Sequence, residues 1–257
     1  MTDATASMYG VLLGSGGWIP TRKRQTCCAL VRRGTDVLIL DAGTGLQRLV
    51  ERPDLLEGAE NVHIVLTHFH LDHVVGLSYL PALALPRPAV IWGPGALLTD
   101  ATTRSLLERL LDPPLFAVPL SSLVGDVCEL ALGELALDSF VVRTRVQERH
   151  THPTLALRVE DALTYCTDTA PDPGNVAFAA GSHALLHEAW HAQATSDDAF
   201  HSAGGDAGRL ARDAGVEHLV LIHVNPLLDS DDALLESARA QFRNCEVGVD
   251  LAGIPLP

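Results

Sequence analysis

The segment Thr67-His68-Phe69-His70-Leu71-Asp72-His73 constrains this chain more than any other. It follows Val62–Leu66, an apolar run that reads as a buried strand, so His68, His70, Asp72 and His73 leave a strand end within six positions. A compact loop there points several side chains at one locus, and imidazole with carboxylate suits zinc, manganese or iron. Such a loop can feed two neighbouring ions. Histidines merely hydrated at the surface would leave both the spacing and the preceding strand unexplained. Histidine is abundant overall, 12 against 3 Trp and 3 Tyr, and it is the commonest metal ligand.

Other classes are disfavoured. The opening MTDATASMYG has no basic or apolar segment, so no secretory signal is expected. No apolar run approaches the ~20 residues of a transmembrane helix; the stretch from Leu77 to Leu85 is short and broken by Pro81. Five Cys without C-x-x-C spacing point to buried free thiols and a cytoplasmic setting. A net charge of −14 argues against general nucleic-acid binding, since phosphate contacts need clustered Lys and Arg. With 47% apolar residues, no repeat and no long linker, residues 1–257 read as a single domain.

Strands are expected at Tyr9–Leu13, Thr26–Arg32, Val37–Asp41 and Val62–Leu66. In the second half they are expected at Phe140–Gln147, Thr154–Val159, Leu163–Cys166, Ala184–Glu188, Leu219–His223 and Glu246–Val249. Helical spacing runs through Gly95–Leu111 and stops before Pro113-Pro114. Ser202 is expected to cap a helix through Ala214, with Gly215 as its stop, and Ser230 another reaching Phe242. This order suggests two packed sheets flanked by helices.

H-x-H-x-D-H after a strand resembles the signature of the metallo-β-lactamase superfamily. LLGSGGWIPTRKRQTCCALV, VLILDAGTGLQRL, HTHPTLALRVE, TYCTDTAP, LLHEAWH and HSAGGDAGRLARDAGVEHLVLIHVNP are similar, in order, to motifs of its ribonuclease Z and small phosphodiesterase branch. The resemblance covers roughly residues 9–226. It implies an α/β fold, a four-layer αββα sandwich of two mixed sheets flanked by helices. It also implies a dinuclear hydrolase in which His68, His70 and His150 hold one divalent ion, Asp72, His73 and His223 hold the other, and Asp168 bridges them. Zinc is expected, with manganese or iron as alternatives. His150 and His152 compete for one role, and His150 keeps the family's spacing to the Pro153-Thr154-Leu155 strand.

In that branch a glutamate of H-E-A-T orients a histidine of a later H-S-T motif, which acts on the scissile phosphate or the leaving oxygen. Here the motifs read His187-Glu188-Ala189-Trp190 and His201-Ser202-Ala203, which assigns Glu188 and His201 catalytic roles beside Asp72. Trp190 and Ala203 depart from the family's two threonines, which puts the pocket's shape in question.

His187-Glu188-Ala189-Trp190-His191 also spells H-E-x-x-H, the zincin pattern, which needs a helix through 183–195 and a downstream ligand. The metzincin extension fails at Ala194 and Asp197, and SHALLHEAW fits a short buried strand. Gly14-Ser15-Gly16-Gly17 lacks the later glycine of a dinucleotide fingerprint, since position 19 is Ile19. Asp41 is expected to fix a loop or to hydrogen-bond behind the site. His63, His183, His191 and His218 are read as bystanders, and Arg22-Lys23-Arg24 as a solvated turn.

The resemblance implies a metal-bridging hydroxide attacking a phosphodiester. Processing enzymes of the branch grip tRNA with a basic arm between the third metal histidine and the bridging aspartate. Here only 17 residues separate His150 from Asp168, which favours a small or cyclic phosphodiester. A tRNA 3′-end processing endoribonuclease, a hydrolase of lactones, thioesters or amides, and a metal-loaded binding module without turnover are the alternatives. Members often form homodimers, although no segment marks an interface.

Overall fold

The structure, a computed structural model, describes residues 7–194 and 200–257. In the first half, short apolar runs form β1 (Met8–Gly14), β2 (Cys28–Arg33), β3 (Asp36–Leu40), β4 (Asn61–Val65), β5 (Val90–Gly93) and β6 (Asp126–Glu129). They are followed by β7 (Gly133–Leu137), β8 (Phe140–Gln147), β9 (Thr154–Val159), β10 (Leu163–Cys166), β11 (Ala184–Glu188), β12 (His218–Ile222), β13 (Cys245–Val247) and β14 (Gly253–Ile254).

Two seven-stranded sheets result, ordered β14-β1-β2-β3-β4-β5-β6 and β13-β12-β11-β10-β9-β8-β7. Both are mixed: β3 to β6 run parallel, as do β10 to β13, and the remaining pairs are antiparallel.

The central strands are apolar throughout because both faces are covered. Leu38 and Leu40 of β3 pack between the sheets with Phe140, Leu157, Tyr165, Leu186 and Ile222. Val37 and Ile39, on the opposite face of β3, pack with Leu77 and Leu107 from the covering helices. On the second sheet Leu185 and Leu221 face outward against Ala207, Leu210 and Ala211 of helix Gly204–Ala214. The layers therefore run helix, sheet, sheet, helix. Among the described residues no helix is long and apolar enough to cross a membrane, and all five cysteines are free thiols.

Three helical expectations need correction. Gly95–Leu111 is not one helix: Gly95–Leu98 and Thr103–Leu111 are separate. The break is stabilised locally, because Thr102 accepts the Ser105 amide and Glu129 accepts the Thr103 amide. Ser202 is not the cap of Gly204–Ala214. Its hydroxyl donates to the Thr169 carbonyl, and Ala203 takes the cap position with its amide held by Asp206. Gly215 does end that helix, in a left-handed conformation. The last helix spans only Asp232–Arg239; Ser230 accepts the Asp232 amide from outside it, with Asp231 at the cap.

Parallel strands in each sheet bring several C-terminal ends to one edge, where α/β proteins place ligands. Asp41 after β3, Asp168 after β10 and His223 after β12 all adopt positive φ, at 58°, 49° and 49°. Non-glycine residues rarely hold that conformation unless the surroundings enforce it, and such positions cluster at functional sites. The turn after Asp41 is equally tight: a Cβ on Gly43 would meet the Asp72 carbonyl and the Thr26 hydroxyl. Gly43→Ala should lower stability by about 1–3 kcal/mol. A urea denaturation midpoint equal to that of the parent protein would contradict this packing.

Candidate metal centre

β4 delivers the histidine-rich loop. Thr67 and His68 lie just beyond its end, and Leu71–Val74 forms a single helical turn that carries Asp72 and His73. His73 is fully buried, and its Nδ1 lies 2.8 Å from Asp41 Oδ2. Asp41 also accepts the Thr67 amide at 2.7 Å, the Thr67 hydroxyl, and the Tyr165 hydroxyl at 3.1 Å. A carboxylate can only accept, so His73 donates from Nδ1 and turns its Nε2 toward the cluster. The Thr67 hydroxyl, spent as a donor to Asp41, accepts from His68 Nδ1 at 3.0 Å, which aims His68 Nε2 the same way. His150 donates Nδ1–H to the Phe200 carbonyl at 3.0 Å and points Nε2 inward.

Asp168 stands where these nitrogens meet. Its Oδ1 lies 3.3 Å from His223 Nε2, 3.5 Å from His150 Nε2 and 3.9 Å from His68 Nε2, and its Oδ2 lies 3.0 Å from His73 Nε2. His150 Nε2 is 3.4 Å from His70 Nδ1, and His223 Nε2 is 3.4 Å from Asp72 Oδ2. Four donors at ~2.05 Å around a tetrahedral ion stand about 3.3 Å apart, so most of these spacings match. Two groups with no residue in common emerge here, His68, His70, His150 and Asp168, and Asp72, His73 and His223, while Asp168 and His223 also gather with His201. The Nε2 atoms of His68, His73 and His223 are buried without a hydrogen-bond partner. Buried polar atoms are rarely left so, and lone pairs converging on one point fit a cation. His152 is not in either group; it is exposed, with its ring 5.9 Å from that of His70.

The electrostatics point the same way. Burial alone would raise the Asp168 carboxyl, but His223, His73 and His68 outweigh it and hold it well below the usual carboxylate range. Asp72 is lowered similarly: burial opposes, while His73 and His223 prevail. Burial also opposes charge on His73 and His223, yet Asp168 and Asp72 raise both well above the ordinary histidine value. The carboxylates therefore draw positive charge inward, and a divalent cation competes with protons for these lone pairs.

Beside the cluster, β11 ends on Glu188. Strand alternation turns Glu188 toward the site, while the preceding His187 faces the other way and donates to the Glu188 carbonyl. Glu188 is fully buried; Oε1 accepts the Thr169 and Ser202 amides, and Oε2 holds His201 Nδ1 at 2.8 Å. Burial disfavours charge on His201, but this carboxylate raises it above the ordinary value. Trp190 stacks on the His201 ring at 4.7 Å and 20°. The H-E-x-x-H spelling therefore lies across a strand end and not on a helix, and Asp197 lies outside the described residues.

Sequence reading passed over several contributors. Trp18, at the tip of the glycine-rich loop, donates its amide to Asp72 Oδ2 at 2.7 Å, and a Cβ on Gly17 would meet the His223 ring. Thr67, Tyr165, Thr169 and Ser202 act through hydrogen bonds that no local motif announces. His63 is held between Trp92 and Asp138 away from the cluster. His183, Glu217 and His218 gather at the N-terminal ends of β11 and β12, the opposite edge of the sheet.

Fold and donor arrangement together define a protein of the metallo-β-lactamase class, and residues 36–224 match the Beta-lactamase superfamily domain. The chain belongs to that family. It is 26% identical to a ribonuclease Z of Halorubrum lacusprofundi, with 98% of each chain covered. That alignment runs over 316 positions against 257 residues here, so the relative carries segments this chain lacks. The fold is shared with the metallo-beta-lactamase fold protein YhfI from Bacillus subtilis, at a TM-score of 0.79 and 20% identity over 96% of this chain and 98% of that one. It is shared as well with a diphosphatase from the PhnP family, at 0.74 and 15% identity over 98% of each chain.

Asp41 touches no cation in this scheme yet aims His73. Asp41→Asn should weaken divalent-metal affinity by about 10–100-fold, measured by competition with a chelator, with the circular dichroism spectrum retained. Unchanged affinity would show that the Asp41–His73 contact does not prepare the nitrogen for a metal.

Proposed function

We propose that the chain is a dinuclear metal-dependent phosphodiesterase of the ribonuclease Z-like branch, acting on a small or cyclic phosphodiester. The observation that supports this most is the Glu188–His201 pair standing against two donor groups joined by Asp168. His68, His70 and His150 would hold one cation and Asp72, His73 and His223 the second, with Asp168 reaching both. Zinc suits these donors, as do manganese and iron. When bound, such a pair supplies a water acidified to a pKa of ~7 and neutralises charge gathering on the phosphoryl oxygens.

The protein's own groups complete the reaction. His201, anchored through Nδ1 by Glu188, presents Nε2 as the proton donor to the departing oxygen. Glu188 stays fixed because the Thr169 and Ser202 amides occupy its other oxygen. Asp72, steadied by the Trp18 amide, orients the attacking water. Trp190, in place of a threonine, covers one face of His201 and restrains its ring.

A small substrate is favoured on two grounds. β9 and β10 follow His150 and are joined by only residues 160–162, which leaves no arm before Asp168. The net charge of −14 also opposes a polyanion. Tight, salt-sensitive cleavage of precursor tRNA would overturn this preference and favour the processing endoribonuclease.

A leaving-group series tests the acid. His201→Ala should keep its metal and lose about 10²–10⁴-fold in rate on alkyl phosphodiesters, while losing far less on p-nitrophenyl esters, whose leaving group needs no proton. Equal losses on both would remove His201 from that role. Asp168→Ala should lose bound metal and hydrolysis of bis(p-nitrophenyl) phosphate together; retention of both would end the dinuclear reading.

A further inference from the structure

A cavity of about 200 Å³ opens beside the first donor group. It is lined by His68, Phe69 and His70 of the histidine loop, by His152 and Pro153, and by Leu98 and Leu106. The two leucines come from either side of the break in segment 95–111: Leu98 ends the first short helix and Leu106 belongs to the second. Thr99 lines the break, but its hydroxyl donates to the Gly95 carbonyl and accepts the Ala101 amide, so it leaves mainly its methyl for a guest. No Lys, Arg, Asp or Glu is among the described residues that line the space. Apart from the imidazoles of His68, His70 and His152, the lining offers a guest little beyond carbon.

From these features, and resting on the phosphodiesterase reading above, we infer that this cavity is a specificity subsite for an uncharged aryl group carried by the substrate. Three observations fix the occupant. The space exceeds the roughly 150 Å³ of an apolar cavity known to accept benzene, so a single ring fits. His68 and His70 belong to both the cavity lining and the donor group, so a guest there sits one side chain away from that group. Glu188, Trp190 and His201 do not line it, so the guest is the ester group that stays on phosphorus, opposite in role to the leaving group that His201 serves. The subsite also gives a use to the Leu-rich segment 95–111, which the chemistry itself does not need.

Two esters with one leaving group test this: methyl p-nitrophenyl phosphate and phenyl p-nitrophenyl phosphate, on metal-loaded protein. After correction for their uncatalysed rates, kcat/KM should be about 10–100-fold higher for the phenyl ester. Leu106→Gln, which makes the wall polar, and Leu106→Trp, which fills the space, should each bring that ratio close to one. Both should leave metal content and the rate on the methyl ester within twofold of the parent. Calorimetry gives a readout independent of turnover: phenylphosphonate should bind at least 10-fold more tightly than methylphosphonate. Hydrolysis of both esters without a phenyl preference overturns the subsite alone. If neither ester is cleaved, the phosphodiesterase reading fails, and the phosphonate comparison then decides the subsite, equal affinities rejecting it.

Discussion

A buried carboxylate cannot keep its charge without a positive partner, and Asp168 is nearly sealed from solvent in the middle of four imidazoles. The rest of the site follows from that constraint. Asp41 and Glu188 bring two further carboxylates to full burial, and each holds one histidine by Nδ1. That demand for positive charge shows in His73 and His223, whose affinity for a proton is raised by Asp168 and Asp72 against the cost of burial. Two divalent cations would meet it more completely, using lone pairs already aimed and otherwise unpaired. The site is thus organised by its negative charge first and by its histidines second.

The double sheet makes that crowding attainable. Parallel strands from both sheets end at one edge, and β3, β10 and β12 each pass a chemical residue out of the strand in a left-handed conformation. Those strained turns persist because the sheets on either side, close-packed between Leu38, Tyr165 and Ile222, leave the loops little freedom. Tyr165 links the two levels: its ring is core, and its hydroxyl reaches Asp41, which in turn aims His73. Packing between the sheets is transmitted to one imidazole nitrogen.

Much of this was legible in the sequence because its signals are local. β8 to β11 fall where alternation and apolar runs place them, and the ordered histidine and aspartate motifs mark the residues that the fold collects. What escaped reading depends on distant partners. Asp41 and Tyr165 are 124 positions apart, and nothing near either announces the hydrogen bond. β5 and β6 have four residues each, with partly exposed or polar members, and take their strand character from pairing with β4 and each other. The break at Thr99–Thr102 was hidden by leucines that keep helical spacing across it; Thr102 and Glu129 decide the matter by capping. Ser202 looked like a helix cap, but the buried Thr169 carbonyl claims its hydroxyl.

Anomalous diffraction at the absorption edge of the metal found in the purified protein tests the central claim most directly. Two peaks are expected, one among His68, His70 and His150 and the other among Asp72, His73 and His223, each in contact with Asp168. A single peak, or signal confined to His183, Glu217 and His218 at the opposite edge, would contradict the dinuclear centre on which the account rests.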